Sequence, residues 1–208
     1  NILFTGAPQW HHQNFDQSLE YYEEYGIAAN KNGGLYQGEE HSERRNFYHK
    51  PVANFTWDWD INNNLDLSTV VYGSWGRGGG TGGVGRGRVR LDNREIAFDA
   101  IQANNIASAD ASGYGNFGDS YARRASMNIH DWYGVISNLN VDNGGDITYN
   151  VGFDYRTYTG THFRQIVDLY GLNGYTDNWR NSRPDDYTIT KTYDADPWAA
   201  FFGDYATP

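Results

Sequence analysis

Two stretches of this chain alternate strictly between apolar and polar residues. From 53 to 61 the odd positions are Ala, Phe, Trp, Trp and Ile, and the even positions carry amide, hydroxyl or carboxylate groups. From 147 to 156 the odd positions are again apolar or aromatic and the even positions polar or glycine. Because a β-strand sends successive side chains to opposite faces, each stretch predicts a strand with one aromatic face and one polar face.

Weaker patterns extend this prediction along the chain. Short apolar runs and looser alternation predict further strands, and Asp16 is expected to cap a short helix. The expected strands are 2–7, 46–61, 65–75, 127–141, 147–158 and one near 187–193, and the expected helices are 17–25 and Phe98–Ser108.

The predicted connections alternate between short and long. Turns at 62–64 and 142–146 are short, whereas the polar regions 8–45, 76–125 and 160–208 are long. Compact soluble domains rarely carry several connections longer than about 15 residues, but outer-membrane barrels combine short periplasmic turns with long extracellular loops. The pattern therefore leaves two all-β folds open, a soluble domain and an antiparallel transmembrane β-barrel.

Composition excludes some functions. The formal net charge of −10 argues against nucleic acid as a partner, because phosphate binding needs a basic surface. The chain has no cysteine, so it has no thiol chemistry. No apolar run is long enough to predict a transmembrane helix, although this test does not detect spanning β-strands.

Two groups of residues could carry chemistry. Asp58 and Asp60 share a face about 7 Å apart, a separation within the range used by glycoside hydrolases, but hydration of a polar face is the favoured interpretation. His11, His12 and the acidic segment 39–41 could supply metal ligands. Adjacent histidines point apart on an extended chain, so we predict no metal site. We also predict no cofactor and no catalytic residue.

The glycine-rich stretch 76–94 contains a G-x-G-x-x-G pattern at 80–85. A dinucleotide site requires a helix after this pattern, and further glycines follow here instead. We interpret the stretch as a flexible loop whose arginines pair with carboxylates; contact with an anionic ligand or a lipid head group is the alternative.

The long regions are rich in aromatic side chains. Flat rings with few rotamers suit the capture of sugars or peptides, and they equally suit the packing of loops on one another. The rings predicted to contact a ligand are Trp10, Tyr36, Tyr114, Tyr170 and Trp179.

Five segments carry longer motifs: GAPQWHHQ at 6–13, RRNFYHKP at 44–51, SWGRGGGTG at 74–82, IQANNI at 101–106 and GFDYRTYTGTHFR at 152–164. These segments resemble parts of TonB-dependent outer-membrane receptors, in particular the SusC-like nutrient importers. The resemblance covers most of residues 6–170.

This resemblance implies a 22-stranded barrel in a Gram-negative outer membrane, closed by an N-terminal plug. Residues 1–208 would supply about five early strands with long extracellular loops, and the plug would be absent from this segment. The implied function is uptake of a glycan oligosaccharide, a peptide or a chelate. The implied partners are outer-membrane lipids, the TonB complex acting through the missing plug, and a SusD-like surface lipoprotein.

In such a barrel the aromatic faces would contact lipid and the polar faces would line the lumen. The residues expected to face the lumen are Asn54, Thr56, Asp58, Asp60, Asn150, Asp154 and Arg156. Two alternatives remain: a soluble β-sandwich that binds glycans, with the apolar face of 55–61 packed on a second sheet, and a glycoside hydrolase that uses Asp58 and Asp60.

Overall fold

The computed structural model describes residues 1–12, 17–177 and 187–207. It is mostly antiparallel β-sheet, with 54% of residues in strands and 12% in helices. Among the described residues, no helix is both long and apolar enough to span a membrane. The helices are α1 (Leu19–Tyr25), α2 (Phe98–Ser108) and α3 (Pro197–Phe201). The strands are β1 (Ile2–Thr5), β2 (Pro8–His12), β3 (Gly33–Tyr36), β4 (Glu39–Ser42), β5 (Arg45–His49), β6 (Val52–Asn62), β7 (Leu65–Val84), β8 (Tyr114–Asn116), β9 (Ala122–Asp142), β10 (Thr148–Asp168), β11 (Gly174–Thr176) and β12 (Thr188–Ile189).

The seven strands of the main sheet form five antiparallel rows in chain order. β1 and β2 lie end to end and pair with β6 and β5, which form the second row. β7, β9 and β10 follow, and each pairs with its neighbour over almost its whole length. Tight turns join β6 to β7 and β9 to β10, as the alternation of connection lengths predicted.

The first two rows are interrupted at the same level. Pro51 separates β5 from β6, because proline has no N–H to donate to the ladder. Beside it, Gly6 separates β1 from β2, and a Cβ on Gly6 would lie 2.9 Å from the Cβ of Pro51. The predicted single strand at 46–61 is therefore two strands, and the predicted loop from residue 8 begins with a strand.

The prediction of a flexible loop from residue 76 was wrong. β7 continues through the glycine run to Val84 and pairs with β9 as far as Ala122. β10 likewise runs to Asp168, well beyond its predicted end. The prediction of α2 was confirmed. α1 is capped by Ser18, which accepts a hydrogen bond from the Tyr21 amide, whereas Asp16 lies outside the described residues.

The long connections fold into a loop cap at the end of the sheet opposite the tight turns. The cap contains the β3–β4 hairpin, α2 and a small sheet of β8, β11 and β12. Its buried core joins α2 to the ends of β7, β9 and β10. The described parts of the loop cap are residues 17–44, 85–121, 169–177 and 187–190.

The main sheet is open. Within residues 1–12, 17–177 and 187–207, β10 pairs only with β9, and the row of β1 and β2 pairs only with β6 and β5. Both outer edges of the sheet therefore present unpaired backbone groups.

Candidate functional site

The strand register places all seven predicted lumen residues on one face of the main sheet, which we call the polar face. Thr56 lies opposite Val70, and Ile136 and Asp154 continue the same row across β9 and β10. The neighbouring rows align Asn54 with Arg156, Asp60 with Asn150, and Asp58 with Gly152 in the same way. Residues far apart in sequence thus form one continuous surface.

Three carboxylates of this face are paired with neighbouring polar side chains. The Ser68 hydroxyl donates to Asp58 at 2.6 Å, and the Asn140 amide donates to Asp66 at 2.8 Å. Arg156 forms an ion pair with Asp154. Asp58 and Asp60 are both exposed on β6.

The opposite face is apolar and uncovered, and we call it the apolar face. Phe55, Trp57 and Trp59 are each 48% exposed, and Ile61 is 38% exposed. The aromatic and aliphatic side chains of β10 on this face are more exposed still, reaching 63% at Val151. The β-sandwich alternative required a second sheet packed over the apolar side chains of residues 55–61. No described part of the chain covers these side chains.

The apolar face ends at a defined level. On β10 the side chains change to Thr157, Thr159 and Thr161 above Tyr155. Beyond this level the C-terminal segment covers the sheet, where Ala195 and Ala200 pack against a buried cluster from β5 and β9 that includes Phe47, Met127 and Ile129.

Short helix α3 lies at this boundary. Trp198 stacks on His49 of β5 with ring centroids 4.9 Å apart, and Phe202 stacks on Trp198 at 5.8 Å. Both Trp198 and Phe202 remain exposed. The helix therefore presents two large rings beside the upper limit of the apolar face.

A groove opens on the polar face where β7 carries its glycines. It has a volume of about 430 Å³ and joins a second hollow of about 340 Å³ through Lys50 and His130. The lining residues are Asn46, Phe47, Tyr48, Lys50, Ser74, Gly76, Gly78, Gly79, Gly80, Ser126, Asn128, His130, Trp132 and Tyr158. The sequence patterns did not predict this groove, although the glycines at every second position along β7 were a usable signal.

The rings predicted to contact a ligand do not form one site. Trp10 is exposed on β2 with the Arg45 guanidinium 4.2 Å from its ring, on the side of the apolar face. Tyr114 is partly buried in β8. Tyr36 packs edge-on against Tyr170 in the loop cap, and Trp179 lies outside the described residues.

Tyr170 in particular is fully buried, so its ring has no surface to offer a ligand. It stacks on Tyr121 with centroids 6.3 Å apart and planes at 12°. For Tyr36 and Tyr170, the structure shows the alternative interpretation, in which loop rings pack on one another.

A buried charged cluster fastens the loop cap to the sheet. The Glu43 carboxylate accepts hydrogen bonds from the Tyr121 hydroxyl and forms an ion pair with Arg88 at 2.7 Å. Arg123 of β9 donates to the Glu43 carbonyl and to the Thr81 hydroxyl, both at 3.2 Å. Burial lowers the pKa of Arg123. Every charge in this cluster has a protein partner, which indicates a structural role.

His41 lies beside this cluster among aromatic rings. Its Nε2 shares a hydrogen bond of 3.0 Å with the Tyr170 hydroxyl, and its ring packs edge-on against Phe98. Burial, with the charges of Arg123 and His12, lowers the pKa of His41 to about 4. The loop cap therefore holds His41 in its neutral form at neutral pH.

The two adjacent histidines are separated as the sequence predicted. His11 pairs with Asn46 and His12 with Arg45, so their side chains lie on opposite faces of β2. In the part of the chain that the structure describes, no group of three or more His, Asp or Glu side chains is placed to hold a metal ion.

No protein-family model, curated protein or solved structure matches this chain.

Proposed function

We propose that this chain forms part of the wall of an outer-membrane β-barrel that imports a nutrient in a TonB-dependent manner. The observation that carries the proposal is the uncovered apolar face opposite a hydrogen-bonded polar face. Soluble monomers rarely expose contiguous apolar patches larger than a few hundred Å². A lipid bilayer would remove this face from water, while the polar face lined an aqueous lumen.

The length of the apolar face supports a bilayer location. On β10 and the residue before it, the apolar face extends over residues 147–155, nine positions, and on β6 it extends over 53–61. A tilted transmembrane strand needs about 9–11 residues to cross the hydrocarbon. The register sets Phe55, Trp57 and Trp59 of β6 level with Tyr155, Phe153 and Val151 of β10, so most of the two apolar rows shares one band.

The ends of the sheet support an orientation. The tight turns at one end suit the periplasmic side, and the folded loop cap at the other end suits the cell exterior. Trp57 and Trp59 lie near a tight turn, and Trp198 and Phe202 lie at the opposite limit of the band. Aromatic side chains are enriched at both membrane–water interfaces, which agrees with this placement.

The open edges set a requirement on the proposal. Unpaired backbone groups are not tolerated in hydrocarbon, so further strands must pair with β10 and with the row of β1 and β2. We assign those strands, and a plug that contacts the TonB complex, to other parts of the receptor. A SusD-like lipoprotein is the proposed partner at the loop cap, the cargo is a glycan, a peptide or a chelate, and the role is transport without catalysis.

The proposal is tested on the full-length protein by fractionation and gel mobility. A barrel wall predicts recovery in the outer-membrane fraction, a need for detergent in solution, and faster migration before boiling than after. A monodisperse protein in detergent-free buffer, with the same mobility before and after boiling, would overturn it.

A further inference from the structure

We infer that the glycine-floored groove on the polar face binds an anionic oligosaccharide, that is, a chain of sugar rings bearing carboxylates. The inference rests on the proposed function only in treating this ligand as cargo. The groove itself is a feature of the folded sheet.

The polar face is divided by charge. Its part nearest the tight turns carries Asp58, Asp60, Asp66 and Asp154. Its other part lies between the row that contains Asn54 and the loop cap. Among the described strand residues of that part, no side chain on the polar face is an aspartate or a glutamate. The basic and imidazole side chains there are His11, Lys50, Arg124, His130, His162 and Arg164. In a chain of net charge −10, a region without carboxylates favours anions.

The floor of the groove is bare backbone. A Cβ on Gly78 would lie 2.6 Å from the Cα of Tyr48, and one on Gly80 would lie 2.7 Å from Oδ1 of Asn46. These glycines allow β5 to approach β7 closely. The groove lies between the side chains of β5 and those of β9, and Gly78 and Gly80 are among its lining residues. An extended ligand can therefore lie along the strands against the backbone.

Aromatic rings form the walls at the outer end. Trp132 is 41% exposed and Tyr158 is 50% exposed, with ring centroids 5.4 Å apart. Tyr158 stacks on His130, and its hydroxyl shares a hydrogen bond with Nδ1 of His130. Preorganised rings of this kind offer flat surfaces for the apolar faces of pyranose rings.

The remaining lining groups are hydrogen-bonding and cationic. The Lys50 ammonium lies 4.9 Å from the centroid of the Tyr48 ring and is exposed at the junction of the two hollows. Asn128 shares a hydrogen bond of 2.8 Å with Nδ1 of His162. Amide and hydroxyl groups suit sugar hydroxyls, and Lys50 supplies a charge for a carboxylate. This combination of rings, amides and the Lys50 ammonium favours acidic sugars over neutral ones.

The probes are tetragalacturonate and tetramannuronate, each compared with its fully methyl-esterified form, which keeps the rings and removes the charge. Calorimetric titration of the full-length protein in detergent is expected to show binding of at least one acid and at least tenfold weaker binding of its ester. Lys50→Gln should weaken binding of the acid about tenfold and leave the ester unaffected. Lys191→Gln, a lysine outside the groove, is the matched control.

Two further variants test the position of the ligand. Gly76→Leu fills the groove, and a Cβ at this glycine has room, since its nearest neighbour is 3.4 Å away. Gly76→Leu should therefore abolish binding of the uronates. Trp132→Ala should weaken binding at least tenfold, whereas Tyr133→Ala, the adjacent ring on the apolar face, should not. All variants are used only if their gel mobility still responds to boiling as that of the parent does.

Several results would overturn the inference: no binding of either uronate, equal affinity for acid and ester, full binding by Gly76→Leu, or tighter binding of tetraglutamate than of the uronates. The inference and the proposed function fail separately. Uronate binding by a protein that needs no detergent would leave the groove assigned and the barrel refuted. A heat-modifiable outer-membrane protein that does not bind uronates would support the proposed function and refute the inference about the groove.

Discussion

The rings of Trp57 and Trp59 stack on each other along β6, with centroids 5.6 Å apart and planes 12° apart. Both residues lie on the same side of the strand, two positions apart, and nothing in the described chain covers them. Two stacked indoles are a large apolar surface to leave in water. Their exposure is explained if this side of the sheet contacts lipid, and each face of the sheet can be tested separately.

Phe153→Lys tests the apolar face. Phe153 lies two residues from the centre of the nine-residue band at 147–155, and a lysine near the bilayer midplane of a barrel costs about 2–4 kcal/mol. We expect that loss in the free energy of unfolding of the full-length protein in lipid vesicles, measured by urea titration. Asn150→Lys, on the polar face of the same strand, should change it by less than about 0.5 kcal/mol. Equal effects of the two substitutions would contradict a lipid-facing band.

Glu43→Ala tests the buried cluster under the loop cap. The substitution leaves the buried Tyr121 hydroxyl without its acceptor and Arg88 without its ion pair. Because Arg88 is partly exposed, we expect a loss of about 1–3 kcal/mol rather than the full cost of breaking a buried pair. Hydrogen exchange should show the loss in α2 and β9. Glu40→Ala, an exposed carboxylate of β4, is the control and should leave exchange unchanged.

Acidification should loosen the loop cap through His41. The folded pKa of about 4 lies below the ordinary value of 6.5, so the unfolded state binds the proton first. The cap is therefore most stable above pH 6.5 and loses stability as the pH falls from 6.5 toward 4. After allowance for the partial exposure of His41, the loss is about 2 kcal/mol.

The measurement is hydrogen exchange of α2 at pH 7.5 and pH 5, corrected for the intrinsic exchange rate. His41→Gln keeps a hydrogen-bonding partner for Tyr170 and should reduce the difference between the two pH values. An unchanged difference in this variant would show that another group controls the response.

Gly78→Ala should disrupt the pairing of β5 with β7. The new Cβ would meet the backbone of Tyr48 at 2.6 Å, and backbone cannot move aside as a flexible side chain can. We expect a loss of at least about 2 kcal/mol in unfolding free energy. Gly76→Ala, two residues earlier on the same face, has room for its Cβ and should cost about 0.5 kcal/mol or less. Similar costs at the two positions would show that β5 does not approach β7 as described.

Sequence alone was sufficient for the parts of the fold that depend on local patterns. The alternation at 53–61 and 147–156 gave β6 and β10 their correct faces, and the register then brought Asn54 and Arg156 onto one surface. These faces are fixed by the two-residue period of a strand, which needs no knowledge of its partners.

The glycine run could not be assigned in the same way. Glycine disfavours strands by its own conformational freedom, and β7 continues through Gly78 and Gly80 because β5 and β9 pair with it on both sides. The burial of Tyr170 likewise depends on α2 and β9 meeting in the loop cap. Both outcomes are set by contacts between distant segments, as is the groove.

The most direct test of the central claim is a nitroxide scan of β10 in lipid vesicles. Residues 1–208 contain no cysteine, so single cysteines introduced at positions 147–157 meet no labelling background from this part of the protein. Any cysteine elsewhere in the full-length protein is first replaced by serine. We predict high oxygen accessibility at odd positions from 147 to 155, high accessibility to a water-soluble nickel chelate at even positions, and chelate access at position 157 although it is odd. Low accessibility to both reagents at the odd positions, or chelate access at every position, would contradict a lipid-facing sheet.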